Sequence, residues 1–264
     1  MKTFVRGILG LIALSSLAFA GCIAPTDDER GMQAVSETSE AQTACPASPH
    51  GKLKGIDVSR YQGDVDWKRV KNEGGIVWAY AKLDQGTLID KKFAQNWRAM
   101  KAAGVIRGAY MFVYSKADRH PAKDVVKLFA EQMKNAGGYD ADDLPPVLDV
   151  EEEGGSDLDY VMELVQAMED QLHRRPVFYA ARSQAQTAAP EFHSLPLWLA
   201  DIYNTSCPKL PAGWGSTWTM WQWRFGEHGY DLPGIGGDGA SDADADWFNG
   251  DLADLRSFIA ASRM

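Results

Sequence analysis

The sequence is poor in the residues that usually hold metals. Three cysteines (Cys22, Cys45 and Cys207) and five histidines stand among 264 residues. With no C-x-x-C pair and no His-rich spacing, a metal site has no support. A metal on Asp57, Asp149 and Glu151 likewise lacks any supporting motif. G-x-S-x-G and phosphate-cradling glycine loops are absent, which sets aside serine hydrolysis and nucleotide chemistry. No cofactor is expected. Excess positive charge is missing too: the formal charge is −9, which argues against nucleic acid as a partner. No internal repeat occurs, and a chain acting as a monomer is expected.

Only one long apolar run is present, from Gly7 to Ala20, broken by Ser15 and Ser16 and preceded by Lys2 and Arg6. It is short for a permanent membrane helix and reads as an export signal over residues 1–21. Two cleavage readings stay open. Ala18-Phe19-Ala20 offers an A-x-A site that releases a soluble, secreted chain. Phe19-Ala20-Gly21-Cys22 resembles a bacterial lipobox, in which Cys22 is acylated and anchors a lipoprotein at the cell surface or in the periplasm. Losing the two positive charges of Lys2 and Arg6 takes the formal charge from −9 to −11. Residues 22–50 hold few large apolar side chains and read as a flexible tether. If Cys22 carries lipid, Cys45 and Cys207 remain as a pair in an oxidising compartment, and a disulfide between them is expected.

Residues 51–264 suit one large α/β domain. Short β-like runs alternate with amphipathic stretches. Strands are expected at 53–58, 76–83, 106–114, 144–151, 177–181, 196–201 and 217–223, and the region 243–248 closes the sheet. Helices are expected at 66–73, 90–103, from Pro121 to about Gly137, at 158–173 and at 252–262. Phe93, Trp97 and Met100 share one helical face, as do Val126, Phe129 and Met133. The connections after the fifth strand are Gly-rich and carry little helix. About eight strands in βαβ order predict a mostly parallel sheet closed into an irregular, TIM-like β/α barrel with fewer helices than strands.

Functional groups of such a barrel gather at the carboxyl ends of its strands. Acids stand at several of them: Asp57, Asp84, Asp149, Glu151 and Asp201. Asp149 and Glu151 are two apart, so on an extended strand both point to the same face. Converging carboxylates repel, which raises one pKa and leaves the other group ionised. One then serves as proton donor and the other stabilises positive charge, the division that glycoside cleavage needs. Acidic runs are commonly solvated loops, but Pro146-Val147-Leu148-Asp149-Val150 is a buried-strand pattern leading straight into this one. Aromatic faces suited to sugar rings lie at or near the strands: Tyr61, Tyr110, Phe112, Tyr179, Trp198, Trp221 and Trp223. Tyr61, Tyr110, Tyr179, Trp198 and Trp221 are taken as the substrate-binding set.

Several segments, in order along the chain, resemble glycoside hydrolase family 25, the family of fungal, phage and bacterial lysozymes. Gly55-Ile56-Asp57-Val58-Ser59-Arg60-Tyr61-Gln62-Gly63 is similar to the family's opening G-I-D-V-S-x-[WY]-Q-G. Ala81 to Thr87, Gly108 to Phe112 and Asp244 to Gly250 resemble its later motifs. Leu144 to Glu151 resembles L-P-P-V-L-D-V-E almost letter for letter. The resemblance implies an irregular β/α barrel and cleavage of β-1,4 bonds between N-acetylmuramic acid and N-acetylglucosamine in peptidoglycan. It implies Glu151 as general acid, Asp149 as its partner, and Asp57 and Asp244 as supporting acids. Three departures stand out. Met111 replaces a His and is expected to remove a polar contact near the cleft. Asp84 is expected to add charge beside the acids. Asp246 replaces an Asn. Two rival readings are a non-catalytic wall-binding barrel and a hydrolase of another polysaccharide such as chitin.

Overall fold

The computed structural model describes residues 52–115, 119–152, 156–203, 206–225, 231–236 and 242–264. The expected signal and tether, with Cys22 and Cys45, lie outside these residues. So therefore does the expected Cys45–Cys207 pairing.

Nine strands are described: β1 (Leu53–Val58), β2 (Trp78–Gln85), β3 (Leu88–Ile89), β4 (Ile106–Phe112), β5 (Val147–Asp149), β6 (Val177–Ala181), β7 (Leu197–Ala200), β8 (Met220–Arg224) and β9 (Asp244–Phe248). Six helices accompany them: α1 (Trp67–Asn72), α2 (Phe93–Ala103), α3 (Ala122–Ala136), α4 (Leu158–Leu172), α5 (Arg182–Thr187) and α6 (Leu252–Ala261). The order β1-β9-β8-β7-β6-β5-β4-β2 is closed by pairing of β1 with β2, giving an eight-stranded barrel. β3 hangs from β2 as a short hairpin. The irregular barrel expected from the sequence is the fold observed.

Each helix exists because one of its faces has somewhere to go. α3 buries Val125, Val126, Phe129 and Met133, and α4 buries Val161, Leu164, Val165 and Met168. Burying each such side chain contributes roughly 1.5–3 kcal/mol. Asp157 caps α4 by accepting from the Tyr160 amide, and Asp251 with Asp254 forms a capping box on α6. Two elements escape sequence reading. β3 is too short to show alternation, and α5 (Arg-Ser-Gln-Ala-Gln-Thr) buries only Ala185, so no helical period is visible.

Strand alternation sorts side chains into two cores. Ile56, Val58, Ala79, Ala81, Ala109, Met111, Leu148 and Val150 point outward into the layer under the helices. Trp78, Tyr80, Val147, Val177, Tyr179, Trp198, Met220 and Phe248 point inward and fill the barrel. Space there is tight: a Cβ on Gly55 would stand 2.1 Å from the Trp78 ring, and one on Gly108 2.1 Å from Tyr80. Glycine at these two positions lets the large rings into the interior.

β9 is the exception to the parallel pattern, running antiparallel to both β1 and β8. A parallel strand needs a crossover that returns the chain to the far end of the barrel, whereas an antiparallel one enters at the near end. β9 therefore begins where the other barrel strands finish. Its first residue, Asp244, is brought to the cleft and set directly opposite Asp57.

Candidate active site

The inward positions at the carboxyl end carry the polar groups. Asp149 ends β5 and is nearly buried. Glu151 follows two residues later and stands exposed at the mouth. Backbone bonds from Val113 to the Asp149 carbonyl and from Val150 to the Tyr179 carbonyl keep this segment extended past the strand. Both carboxyls therefore face one deep cavity of about 70 Å³, shared with Asp57, Tyr110, Tyr179, Trp198, Gln222 and Asp244. The cavity is continuous, through Glu151, Tyr179, Gln222 and Asp244, with an outer groove of about 740 Å³ flanked by Arg182, Asp201, Tyr203 and Phe225. The four acids named from the sequence are thus gathered at one site.

Gln222 ties the floor together. Its Nε2 donates to Asp57 Oδ2 at 3.1 Å and Asp244 Oδ2 at 3.3 Å, while its Oε1 accepts from the Tyr179 hydroxyl at 2.7 Å. Burial, with the facing Asp244 charge, pushes the Asp57 carboxyl well above the usual range; Gln222 opposes this. Burial raises Asp149 well above its ordinary value, and the Glu151 charge adds to the effect while Lys82 works against it. Although Glu151 is exposed as a residue, the cleft walls around its carboxyl exclude part of the water and raise it, opposed by Lys82 and by the Tyr179 hydroxyl. The repulsion between the two carboxyls is mutual, and Asp149, the deeper group, is the more strongly raised because of its burial. The pair titrates as a unit that keeps a proton above the ordinary carboxylate range.

The aromatic set is divided by geometry. Tyr110 and Tyr179 line the deep cavity. Trp198 forms its base, packed against Trp78, Tyr80 and Tyr179. Tyr61 is 59% exposed on the turn after β1, with the Arg60 guanidinium over its ring at 4.7 Å. Trp221 does not reach the cleft. It lies on the face of β8 opposite Gln222, 1% exposed, and donates to the Asp201 carbonyl at 2.9 Å. Both faces of β8 are covered, so Trp221-Gln222-Trp223 shows no alternation that would have placed it.

Two other expectations are corrected. Met111 is buried in the outer core, on the far side of β4 from the cleft, and removes no contact there. Asp84 is wholly buried beyond a bulge in β2 and responds only to Lys82 among nearby charges, so it adds none beside the acids. Neither of its carboxylate oxygens has a partner among the described residues, and burial holds its pKa well above the ordinary value. A folded-state pKa raised above the unfolded one makes the wild type lose stability as pH rises above about 3.9. Asp84→Val is therefore expected to stabilise the barrel by about 1–3 kcal/mol at neutral pH. The margin shrinks toward pH 4 and widens toward pH 9. Urea titrations at several pH values check this, and a variant less stable than wild type at pH 9 would sink it.

Some cleft residues escape sequence reading. Lys82 and Gln222 could have been found by continuing the inward parity of Trp78-Tyr80 and of Met220. Arg182, Tyr203 (91% exposed) and Phe225 sit in connections and give no periodic signal.

A proton-holding carboxyl pair in a groove wide enough for sugar rings, at the open end of a β/α barrel, suits acid-assisted cleavage of glycosidic bonds. The chain is a glycoside hydrolase. The model of glycosyl hydrolases family 25 matches residues 56–230, and the chain belongs to that family. Lysozyme M1 of Streptomyces globisporus is 32% identical over 240 residues, covering 84% of this chain and 76% of that protein. An N,O-diacetylmuramidase of Arthroderma benhamiae is 25% identical over 249 residues, covering 85% of this chain and 95% of that one. The crystal structure of a bacterial lysozyme from Streptomyces coelicolor aligns with a TM-score of 0.67 at 29% identity, covering 80% of this chain and 98% of that one.

Proposed function

We propose that the enzyme cuts the β-1,4 bond between N-acetylmuramic acid and N-acetylglucosamine in peptidoglycan, with Glu151 as general acid. The observation carrying this reading is that Asp149 and Glu151 converge on one cavity, one carboxyl buried and one at the mouth. A sugar ring seated in the groove strips water from Glu151, the more exposed group, and shifts the pair's proton toward it. Glu151 then protonates the leaving oxygen as the C1–O bond breaks, and a water oxygen ends up bonded to C1 as its proton restores the carboxyl pair. Asp149 faces the positive charge that develops at C1, and Asp57 and Asp244 keep the floor negative. Arg182, Tyr203 and Phe225 in the outer groove suit the neighbouring sugars of a long strand, the arginine matching carboxylates carried by the substrate. The names of the relatives, lysozyme and N,O-diacetylmuramidase, support the same substrate.

Mass spectrometry of products from purified peptidoglycan tests the proposal. Fragments ending in reducing muramic acid are expected. Reducing N-acetylglucosamine ends, cleavage of chitin oligomers alone, or wall binding without products would each overturn it. We further propose that residues 1–21 export the chain, that acylated Cys22 anchors it through a tether over residues 22–50, and that the barrel acts as a monomer. The intact mass of the exported chain separates a lipid on Cys22 from a free terminus at Gly21.

A further inference from the structure

β9 points two carboxyls into the barrel: Asp244 at the cleft and, two residues deeper, Asp246. Asp246 is 0% exposed and lines no part of the cavity. Its Oδ1 accepts from the Trp198 indole at 3.2 Å. Its Oδ2 meets no N–H or hydroxyl among the described residues. Gly55 stands opposite Asp246 across the β1–β9 pairing and Asp57 lies two residues further toward the cleft, so the Asp57 carboxyl is the neighbouring polar group, within hydrogen-bonding reach. Ionised carboxylates are acceptors only, so two of them can share a hydrogen bond only if one keeps a proton. Asp57 already has Gln222 donating to it and faces the cleft; Asp246 has a single neutral donor and no water-filled side.

We infer that Asp246 is held as a neutral carboxylic acid that donates to Asp57 from below, favouring the ionised form of Asp57 against its burial and aiming it into the cleft. Asp246 is thus a positioning residue for the reaction, acting through Asp57. The inference rests on the proposed function only for the part Asp57 plays there.

The surroundings fix where the proton sits. Asp57 on β1 faces Asp244 and Asp246 from β9 and Gln222 from β8, with the Glu151 charge beyond β5. Its own charge is felt by Tyr110, Asp149 and Tyr179. Asp246 feels Asp57 and Asp244, and its charge is felt by Tyr80 on β2. Among the described residues no cation faces Asp246, and the charges of Asp57 and Asp244 oppose its ionisation. Burial is the largest cause holding its proton, and donation from Asp246 lowers Asp57.

Two variants test the inference. Asp246→Asn keeps the shape, accepting from Trp198 through its carbonyl and donating to Asp57 through its amide. At neutral pH its infrared difference spectrum against wild type is expected to show loss of a protonated-carboxyl C=O band. Its acid limb of kcat/KM against pH is expected to stay in place. Asp246→Leu removes the donor, so Asp57 protonates more readily and the acid limb moves upward. A hydrogen bond to a charged group is worth about 1.5–3 kcal/mol, so the limb is expected to move by roughly one to two pH units. Loss of an ionised-carboxylate band in Asp246→Asn overturns the inference even if Asp246→Leu does not fold. An acid limb that Asp246→Leu leaves in place, or that Asp246→Asn moves as far, overturns the positioning role. Failure of the hydrolase reading shows separately, as wild-type protein that releases no glycan fragments while the infrared result stands.

Discussion

Glu151→Gln is expected to lower kcat on peptidoglycan by about 10²–10⁴-fold, the usual worth of a positioned general acid. Glutamine keeps the size and an oxygen that can accept from the Tyr179 hydroxyl but has no acidic proton to give to a leaving oxygen. Glu151 is exposed at the cleft mouth, so the melting temperature and wall binding should stay near wild type. That separates loss of chemistry from loss of fold. The wild-type rate should fall on the alkaline side, as the Asp149–Glu151 pair loses the proton that burial helps it keep. In Glu151→Gln the residual rate should lose that limb. A folded variant that retains most of its turnover would remove Glu151 from the mechanism.

Arg107→Ala is expected to cost about 3–5 kcal/mol of stability, the usual penalty for leaving one member of a buried ion pair alone. Arg107 lies near the start of β4, away from the cleft, and is 3% exposed. Its guanidinium grips Asp143 with two bonds, Nε to Oδ1 at 2.8 Å and Nη2 to Oδ2 at 3.1 Å. Nη1 donates to the Trp97 carbonyl at 2.9 Å, and the charge lies 3.9 Å above the Trp97 ring. One side chain thus holds β4, α2 and the α3–β5 connection together. Truncating it strands the Asp143 carboxylate, which is also buried. For a domain of about this size the loss corresponds to roughly 6–20 °C in melting temperature. Calorimetry checks this, with kcat per folded molecule unchanged well below the transition. A shift of one or two degrees would mean that water reaches Asp143 and the pair is not buried in solution.

The sequence by itself determined the elements and the central pair. Alternation and helical period are local properties, and they placed most of the barrel strands and the longer helices within a few residues. The two-residue spacing of Asp149 and Glu151 was enough to put both on one face, because an extended chain has no other way to arrange them. Tertiary structure decided what lies across strands. The direction of β9 brings Asp244 opposite Asp57 and buries Asp246 beneath it. The covering of both faces of β8 turns Trp221 outward and Gln222 into the cleft. A bulge in β2 takes Asp84 away from the acids, and the parity of β4 takes Met111 with it. Depth did the rest: of two adjacent carboxyls, the one further from water is the harder to ionise. Depth belongs to the closed barrel, and no stretch of sequence carries it.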